Sequence, residues 1–460
     1  MLESRPRVLG RESEGRNEVS AEQEGVNRES RNIPWYRAMI GFLRSYLMGL
    51  WSDWSERLRG EALVVLLSRI ATIGVGMVFV LVTARHLGPA GRGDIAVAFT
   101  LAWATTCFSD LGTSTSGRIS LLRLNSEVGV TDILSLTFAL VPLQVVSAVV
   151  AVTAVSSVSM GFSPQFSAAV VALSAATMLY NSASFILYGL RRYRDVLITD
   201  LGQGVFQIMV LAGLLAVDRL TTTSAVATMA AGPALGAAVL MRGSGAFRCR
   251  TPGRLTQHWR GLITDGLSPM VGMVAMFVAL RLDRLVLAIA VGSHSLGLFT
   301  VALAVPEALR VLPKAFGQVI ADRGRSGIDS VDTARRNCRL VVAGHCAVLA
   351  VAASLGWLLV PAVFGEGFSG ARDVLVVVTL AEAVLSVHLM DQALLVGFGR
   401  LYGIGIPQVV GAVVTIALDL IMIPKWGMQG AAWACLFGYS ALALTSTIWT
   451  NHELRRSRSG

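Results

Sequence analysis

Lysine is nearly missing from this 460-residue chain: of its 39 basic residues only Lys314 and Lys425 are not arginine. Charge of either sign is scarce, at 15% of residues against about 25% in a soluble domain. That scarcity argues against a set of soluble domains, although the length would allow two or three. The five cysteines, Cys107, Cys249, Cys338, Cys346 and Cys435, form no CxxC or Cys/His ligand spacing. Neither a zinc site nor a disulfide framework is therefore indicated, and small buried hydrophobes describe them best. No HExxH, GxSxG or P-loop pattern occurs, so no enzyme is expected, nor a metal or cofactor. The N-terminus also lacks the charged, apolar and small-residue pattern of a signal peptide.

What the chain has in abundance is apolar sequence, 54% of it. Runs of about 20 apolar residues, each long enough to cross a bilayer core, recur along most of its length. This predicts an all-α polytopic membrane protein. The formal charge of +10 falls mostly between those runs. Cytoplasmic loops and anionic lipid headgroups explain it without nucleic acid as a partner.

Residues 1–32 are polar and poor in aromatic and branched side chains, as in a disordered tail, and a start at Met39 or Met48 is an alternative. From Pro34 to Arg59, Trp35, Met39, Phe42, Tyr46, Trp51 and Trp54 recur at helical spacing among arginines, which predicts an interfacial amphipathic helix. Twelve spans follow. In the first half they are Ala62–Ala84, Ile95–Phe108, Ile133–Val155, Phe166–Leu190, Val196–Val217 and Ala225–Met241. In the second they are Leu267–Val291, Leu296–Ala315, Leu340–Phe364, Val374–Phe398, Ile404–Ile423 and Met428–Trp449. The even-numbered connections hold most of the arginines, including Arg191, Arg192, Arg194, Arg242, Arg248 and Arg250. The opposite loops hold only Arg85, Arg92, Arg219, Arg372 and Lys425. The positive-inside rule then puts both termini in the cytoplasm.

The halves repeat. Gly88, Gly93 and Ala98 match Gly292, Gly297 and Ala302 at a shift of 204 residues. YGLRR (Tyr188 to Arg192) ends the fourth span as GFGR (Gly397 to Arg400) ends the tenth. Six spans per half make these parallel repeats, with a substrate expected between lobes that rock to alternate access. The expected organisation is a tail and interfacial helix (1–60), an N-lobe (61–241), a cytoplasmic linker (242–265), a C-lobe (266–450) and a cytoplasmic tail (451–460).

One apolar stretch breaks the pattern. RLDRLVLAIAVGSHSLGLFTVALAVPEALRVLPK (Arg281 to Lys314) carries Arg281, Asp283, Arg284, Glu307, Arg310 and Lys314 and is interrupted by Pro306 and Pro313. A charge at a bilayer centre costs about 2.5–3.5 kcal/mol or more, so this much charge points to a polar path or a structural ion cluster. Both readings stay open for Arg281, Asp283 and Arg284. For Arg310, Lys314 and Arg69 in the first span, snorkelling to headgroups is the alternative.

Several segments resemble the polysaccharide flippases (Wzx-like) of the multidrug/oligosaccharidyl-lipid/polysaccharide exporter superfamily. ARHLGPAGRGDIAVAFT (Ala84 to Thr100) is similar to that family's LGPxxxGxxAxA, and SDLGTSTSGRIS (Ser109 to Ser120) to its DLGxxxxxxR. LDRLVLAIAVGSHSLGLFTVA (Leu282 to Ala302), VFGEGFSGA (Val363 to Ala371), GFGR and IPKWGMQGAAWA (Ile423 to Ala434) continue the resemblance in order. Phe299 stands where the family often has Tyr. The resemblance spans roughly 60–455 and implies a MATE-like fold. It also implies a bacterial inner-membrane transporter that flips a polyprenyl-diphosphate-linked oligosaccharide, beside polysaccharide polymerase and glycosyltransferase partners.

A diphosphate is bound best by guanidinium forks. The candidate substrate-binding residues are therefore Arg69, Arg281, Asp283, Arg284, Glu307, Arg310 and Lys314. Arg281 and Arg284 share a helical face, Glu307, Arg310 and Lys314 another, with Glu307 neutralising part of the cluster and Asp283 pairing with an arginine. Glu382, His388 and Asp391 read as packing or proton-binding groups, and Asp419 as an interface residue. The rival functions are a lipid II flippase, a cation-coupled multidrug antiporter and a membrane scaffold of a glycan-assembly complex. Arg69 without an acid in the first span favours an anionic substrate over the antiporter.

Overall fold

Glycine and proline set the breaks in this all-helical chain, and runs of apolar sequence fill the lengths between them. The computed structural model describes residues 61–123, 127–243, 258–400 and 404–459, with side chains except at 61–71, 159–160 and 456–459. The expected tail and interfacial helix (1–60) and residues 244–257 of the expected linker lie outside these residues. Val64–Gly460 is one unit, and of Met1–Leu63 only the first residues of α1 are described.

The helices are α1 Glu61–Ser109, α2 Thr113–Leu122, α3 Val130–Val155, α4 Pro164–Gly189, α5 Tyr193–Ala216 and α6 Thr222–Gly243 in the first half. The second half contains α7 Trp259–Ala290, α8 Ser293–Leu309, α9 Val311–Arg325, α10 Val331–Phe364, α11 Arg372–Gly397 and α12 Gly405–Ser459. No strand occurs among the described residues. α1 turns back at Gly88 (φ 68°, ψ −175°), a conformation glycine adopts without a Cβ clash, and Pro89 opens its second half. α12 turns at Gly427.

Nine helical stretches among the described residues are long and apolar enough to cross a membrane. Dividing α1 and α12 at their turns and adding α7, 32 residues long and interrupted by charge, gives the twelve expected crossings. Side chains such as Val150, Ile198, Met209, Leu358, Val413 and Ile448 are exposed on the outside of the bundle, where hydrocarbon is their solvent.

Three boundaries differ from expectation. The second crossing begins at Pro89 rather than Ile95 and runs through α2. It is broken at Leu111 and Gly112, both in the left-handed region. Arg92 therefore sits inside a crossing, not in a loop. The eighth crossing is two helices meeting at Arg310; Glu307 and Arg310 remain in contact across the junction, while Lys314 is exposed. The C-terminal tail continues α12 to Ser459, with Leu454 buried.

The two halves repeat in their turns as well as in their letters. Left-handed residues at Gly88, Gly161, Arg191 and Asp218 correspond to Gly292, Gly365, Gly399 and Gly427. α4 packs on α3 and α6, as its counterpart α11 packs on α10 and α12. The lobes touch through the second half of α1 crossing α8. A Cβ on Gly93 would strike the Ser293 carbonyl, and one on Gly297 the Pro89 carbonyl. The repeat maps 89 onto 293 and 93 onto 297, so the two clashes are one contact seen twice across a pseudo-two-fold axis. Ser293 Oγ also donates to Asp94 Oδ1 (2.5 Å). A second seam joins α2 to α7. A Cβ on Gly112 would meet the Gly266 carbonyl, and Ser116 Oγ donates to the Leu262 carbonyl (2.7 Å).

Candidate functional site

Charge inside the described bundle is concentrated in the C-lobe, on α7, α8, the α8–α9 junction and α11. Arg284 donates from Nη2 to Glu307 Oε1, and Arg310 Nη2 lies 3.7 Å from the same oxygen. Arg310 also makes a two-bond fork with Glu382, through Nε to Oε2 (2.8 Å) and Nη2 to Oε1. Arg284, Arg310 and Glu382 are all buried, whereas the Glu307 side chain retains 21% of its exposure. The proline-containing turn at Pro306 and the break at Arg310 bring this about. Arg310, at the junction of α8 and α9, points inward onto α11 instead of outward to headgroups.

Two arginines complete the cluster from the lobe interface. Arg281, on α7, lies with its guanidinium carbon 5.5 Å from the centroid of the Phe99 ring, a cation–π contact across the lobes. Phe99 in turn stands edge-on to Trp103, at 6.3 Å between centroids. Arg92, on α1 of the opposite lobe, is within electrostatic reach of Arg284 and Glu307, and its buried Nε has no hydrogen-bond partner. Among the described residues no carboxylate lies within 4.0 Å of Arg92 or Arg281. Arg284 and Arg310 are each paired with a carboxylate, although Arg284 Nε is also buried without a partner, whereas these two arginines have no such pairing.

Asp283 does not pair with an arginine. Its carboxylate accepts from the Arg284 backbone N–H (2.8 Å) and from Cys435 Sγ (3.2 Å). Asp419, on α12, lies within reach of Asp283 and Cys435, and both its oxygens are buried without partners, as is Thr415 Oγ1. Acids without cationic partners in an apolar bundle have the chemistry of a proton or monovalent-cation site. No group of three or more His, Cys, Asp or Glu arranged to hold a metal ion occurs among the described residues.

Of the residues named from sequence, Arg281, Arg284, Glu307 and Arg310 come together. Asp283 is adjacent but turned to α12, Lys314 is exposed on α9, and the Arg69 side chain lies outside the described residues. Sequence reading missed three participants. Arg92 was assigned to a loop because GPAGRG reads as a turn. Glu382 reads from sequence as a packing or proton-binding group, because nothing local marks it as the partner of a residue 72 positions away. Tyr439, fully buried near Arg310 and Glu382, carries no signal of its own. Asp391 accepts from Thr447 Oγ1 (2.6 Å), and His388 is buried with neither ring nitrogen bonded. Arg118 stacks over Phe185 and Tyr188, at 6.0 and 5.6 Å to their ring centroids.

The architecture is that of a two-lobed, twelve-crossing membrane bundle. It is shared with transporters of the MOP superfamily. An inward-facing multidrug-resistance MATE transporter superposes with a TM-score of 0.66 at 13% identity, over 87% of this chain and 99% of that one. The lipid II flippase MurJ, in an inward closed conformation, gives 0.66 at 12% identity over 84% and 86%. A MOP transporter from Pyrococcus furiosus, described as having a binding pocket of reversed polarity, gives 0.55 at 14% identity over 86% and 97%. No protein-family model matches the sequence, and no curated protein does either.

Proposed function

We propose that this chain is a flippase that carries a polyprenyl-diphosphate-linked oligosaccharide across the bacterial inner membrane for polysaccharide assembly. Its lobes, 61–241 and 266–450 joined by the 242–265 linker, alternate access to a site between them. The observation that carries this reading is the pair Arg92 and Arg281. They come from opposite lobes, lack carboxylate partners among the described residues, and flank the acid that remains accessible. A diphosphate with two or more negative charges supplies what both guanidiniums lack, and binding it from both sides couples substrate to lobe position. Phe99 and Trp103 beside Arg281 offer aromatic faces to the first sugar rings. Both termini face the cytoplasm, and glycosyltransferases and a polymerase are the partners that supply and consume such a substrate.

The test is flipping of a labelled lipid-diphosphate sugar in proteoliposomes. Losing a charge-assisted hydrogen bond worth about 1.5–3 kcal/mol should slow Arg281→Ala or Arg92→Ala by about ten- to a hundredfold. Undiminished flipping by folded variants sinks the diphosphate reading. A cation-coupled multidrug antiporter is the second reading, and Asp419, with neither carboxylate oxygen bonded and Asp283 within its reach, favours it. On that reading export of a cationic dye persists in Arg281→Ala and is lost in Asp419→Asn.

A further inference from the structure

The two glutamates of the cluster are held in different ways. Glu382 is buried and locked one-to-one to Arg310 by two bonds. Glu307 makes a single hydrogen bond, to Arg284, and shares its Oε1 with the more distant Arg310. It is the most exposed of the paired residues, and Arg92 and Arg281 also lie within its electrostatic reach. Glu307 thus sits among four guanidiniums, and Glu382 pairs with one of them. Asp283, bonded to the Arg284 backbone and Cys435, is within electrostatic reach of Arg281 and Arg284 without an ion pair to either. A carboxylate and a phosphate oxygen pair offer an arginine the same two-acceptor edge. Glu307 therefore occupies the place a substrate phosphate would take.

The bilayer holds a large excess of anionic phospholipid over any lipid-linked sugar. A bare arginine nest would fill with these headgroups, and discrimination requires something that opposes the wrong ligand. We propose that Glu307 is a specificity-determining residue. Its carboxylate is a resident anion that a phospholipid headgroup of charge −1 does not displace and a diphosphate does. One negative charge replacing another gains nothing across the nest and loses the covalent tether. A diphosphate brings a second charge to Arg92 and Arg281, which Glu307 alone leaves under-neutralised. On displacement the Glu307 side chain has room to move, since it is already partly exposed. This inference rests on the diphosphate reading of the site.

The experiment titrates the full chain, purified in neutral detergent, with undecaprenyl diphosphate and separately with phosphatidylglycerol. Removing the resident charge in Glu307→Gln should tighten phosphatidylglycerol binding by at least about tenfold and lower the preference for diphosphate in proportion. Glu307→Gln leaves Arg284 buried without a counter-charge, so Glu307→Asp is measured beside it. The shorter acid keeps the charge but loosens its hold on Arg284, and should move phosphatidylglycerol binding in the same direction by about threefold. Phosphatidylglycerol binding that is unchanged or weaker in the variants that fold overturns the proposal. Arg281→Gln separates this failure from that of the parent reading. If Arg281→Gln binds undecaprenyl diphosphate as wild type does, the site is not a diphosphate site and both ideas fall. If Arg281→Gln loses the diphosphate while the Glu307 variants gain no phosphatidylglycerol, only the role given to Glu307 is wrong.

Discussion

Gly93→Ala and Gly297→Ala should each push the lobes apart where α1 crosses α8. The added Cβ meets backbone in both cases, the carbonyl of Ser293 or of Pro89, with further carbon atoms of the same residue at 2.6 to 3.0 Å. Backbone cannot rotate away as a side-chain tip can, so the helices must separate. Overpacking of this kind costs about 1–3 kcal/mol. The energy is concentrated at one lobe–lobe contact, so it shifts the population of the state in which that contact is closed by about ten- to a hundredfold. The check is the spin-label distance distribution between sites on the second half of α1 and on α8. Both variants should lengthen it, and Gly213→Ala, where a Cβ meets nothing within 4 Å, should not. Equal distributions in all three proteins would mean that the crossing does not control the lobes. The repeat adds a sharper expectation. The two clashes are one contact related by the pseudo-two-fold axis, so the variants should resemble each other and their combination should fall short of additive.

The second large effect is on stability. Arg310→Met or Glu382→Leu alone leaves the remaining partner charged and buried, which destabilises by about 3–5 kcal/mol. Neither side chain has water to turn to, since Arg310 is 7% exposed and Glu382 1%. The double variant Arg310→Met/Glu382→Leu removes both charges and should recover most of the loss. Unfolding in detergent, followed by the fraction that remains monodisperse after heating, reads the comparison. Had Arg310 merely reached for headgroups, its loss would cost about 0–1 kcal/mol, the range of exposed ion pairs, and Glu382 would not rescue it. Single variants as stable as wild type would remove Arg310–Glu382 from the structural core of the C-lobe. Arg310 and Glu382 are locked to each other, while Arg92 and Arg281 have no carboxylate partner among the described residues.

The polar core of the N-lobe shows a different economy. Asp110, one of few acids there, accepts from Ser114 Oγ (2.6 Å), from Thr113 Oγ1 (3.4 Å) and from the Ser114 backbone N–H (3.3 Å) at the start of α2. Arg92 is then the N-lobe charge that meets the C-lobe cluster among the described side chains, although its own stretch reads as a loop. Its position one turn past Gly88 explains the misreading. A glycine-rich segment with a proline, an arginine and an aspartate has loop composition, yet Pro89 serves as the first residue of a helix.

Membrane class, twelve crossings and the pairing of the halves were legible in the amino-acid order, because hydrophobic length and the spacing of turn residues are local properties. Gly88, Gly93, Gly292 and Gly297 show the pairing of the halves through their shared shift of 204 residues. The charged stretch from Arg281 to Lys314 was also legible as charge without a place in hydrocarbon. Only the tertiary structure decided which of those charges are spent on each other. Arg310 finds Glu382 through a break in the eighth crossing, Asp283 turns to Cys435 instead of an arginine, and Arg92 arrives from the other lobe. Ion pairing depends on where side chains from distant helices converge, and no periodicity along one helix records that. Free charge, which is what a ligand needs, is what remains after those long-range pairs have formed.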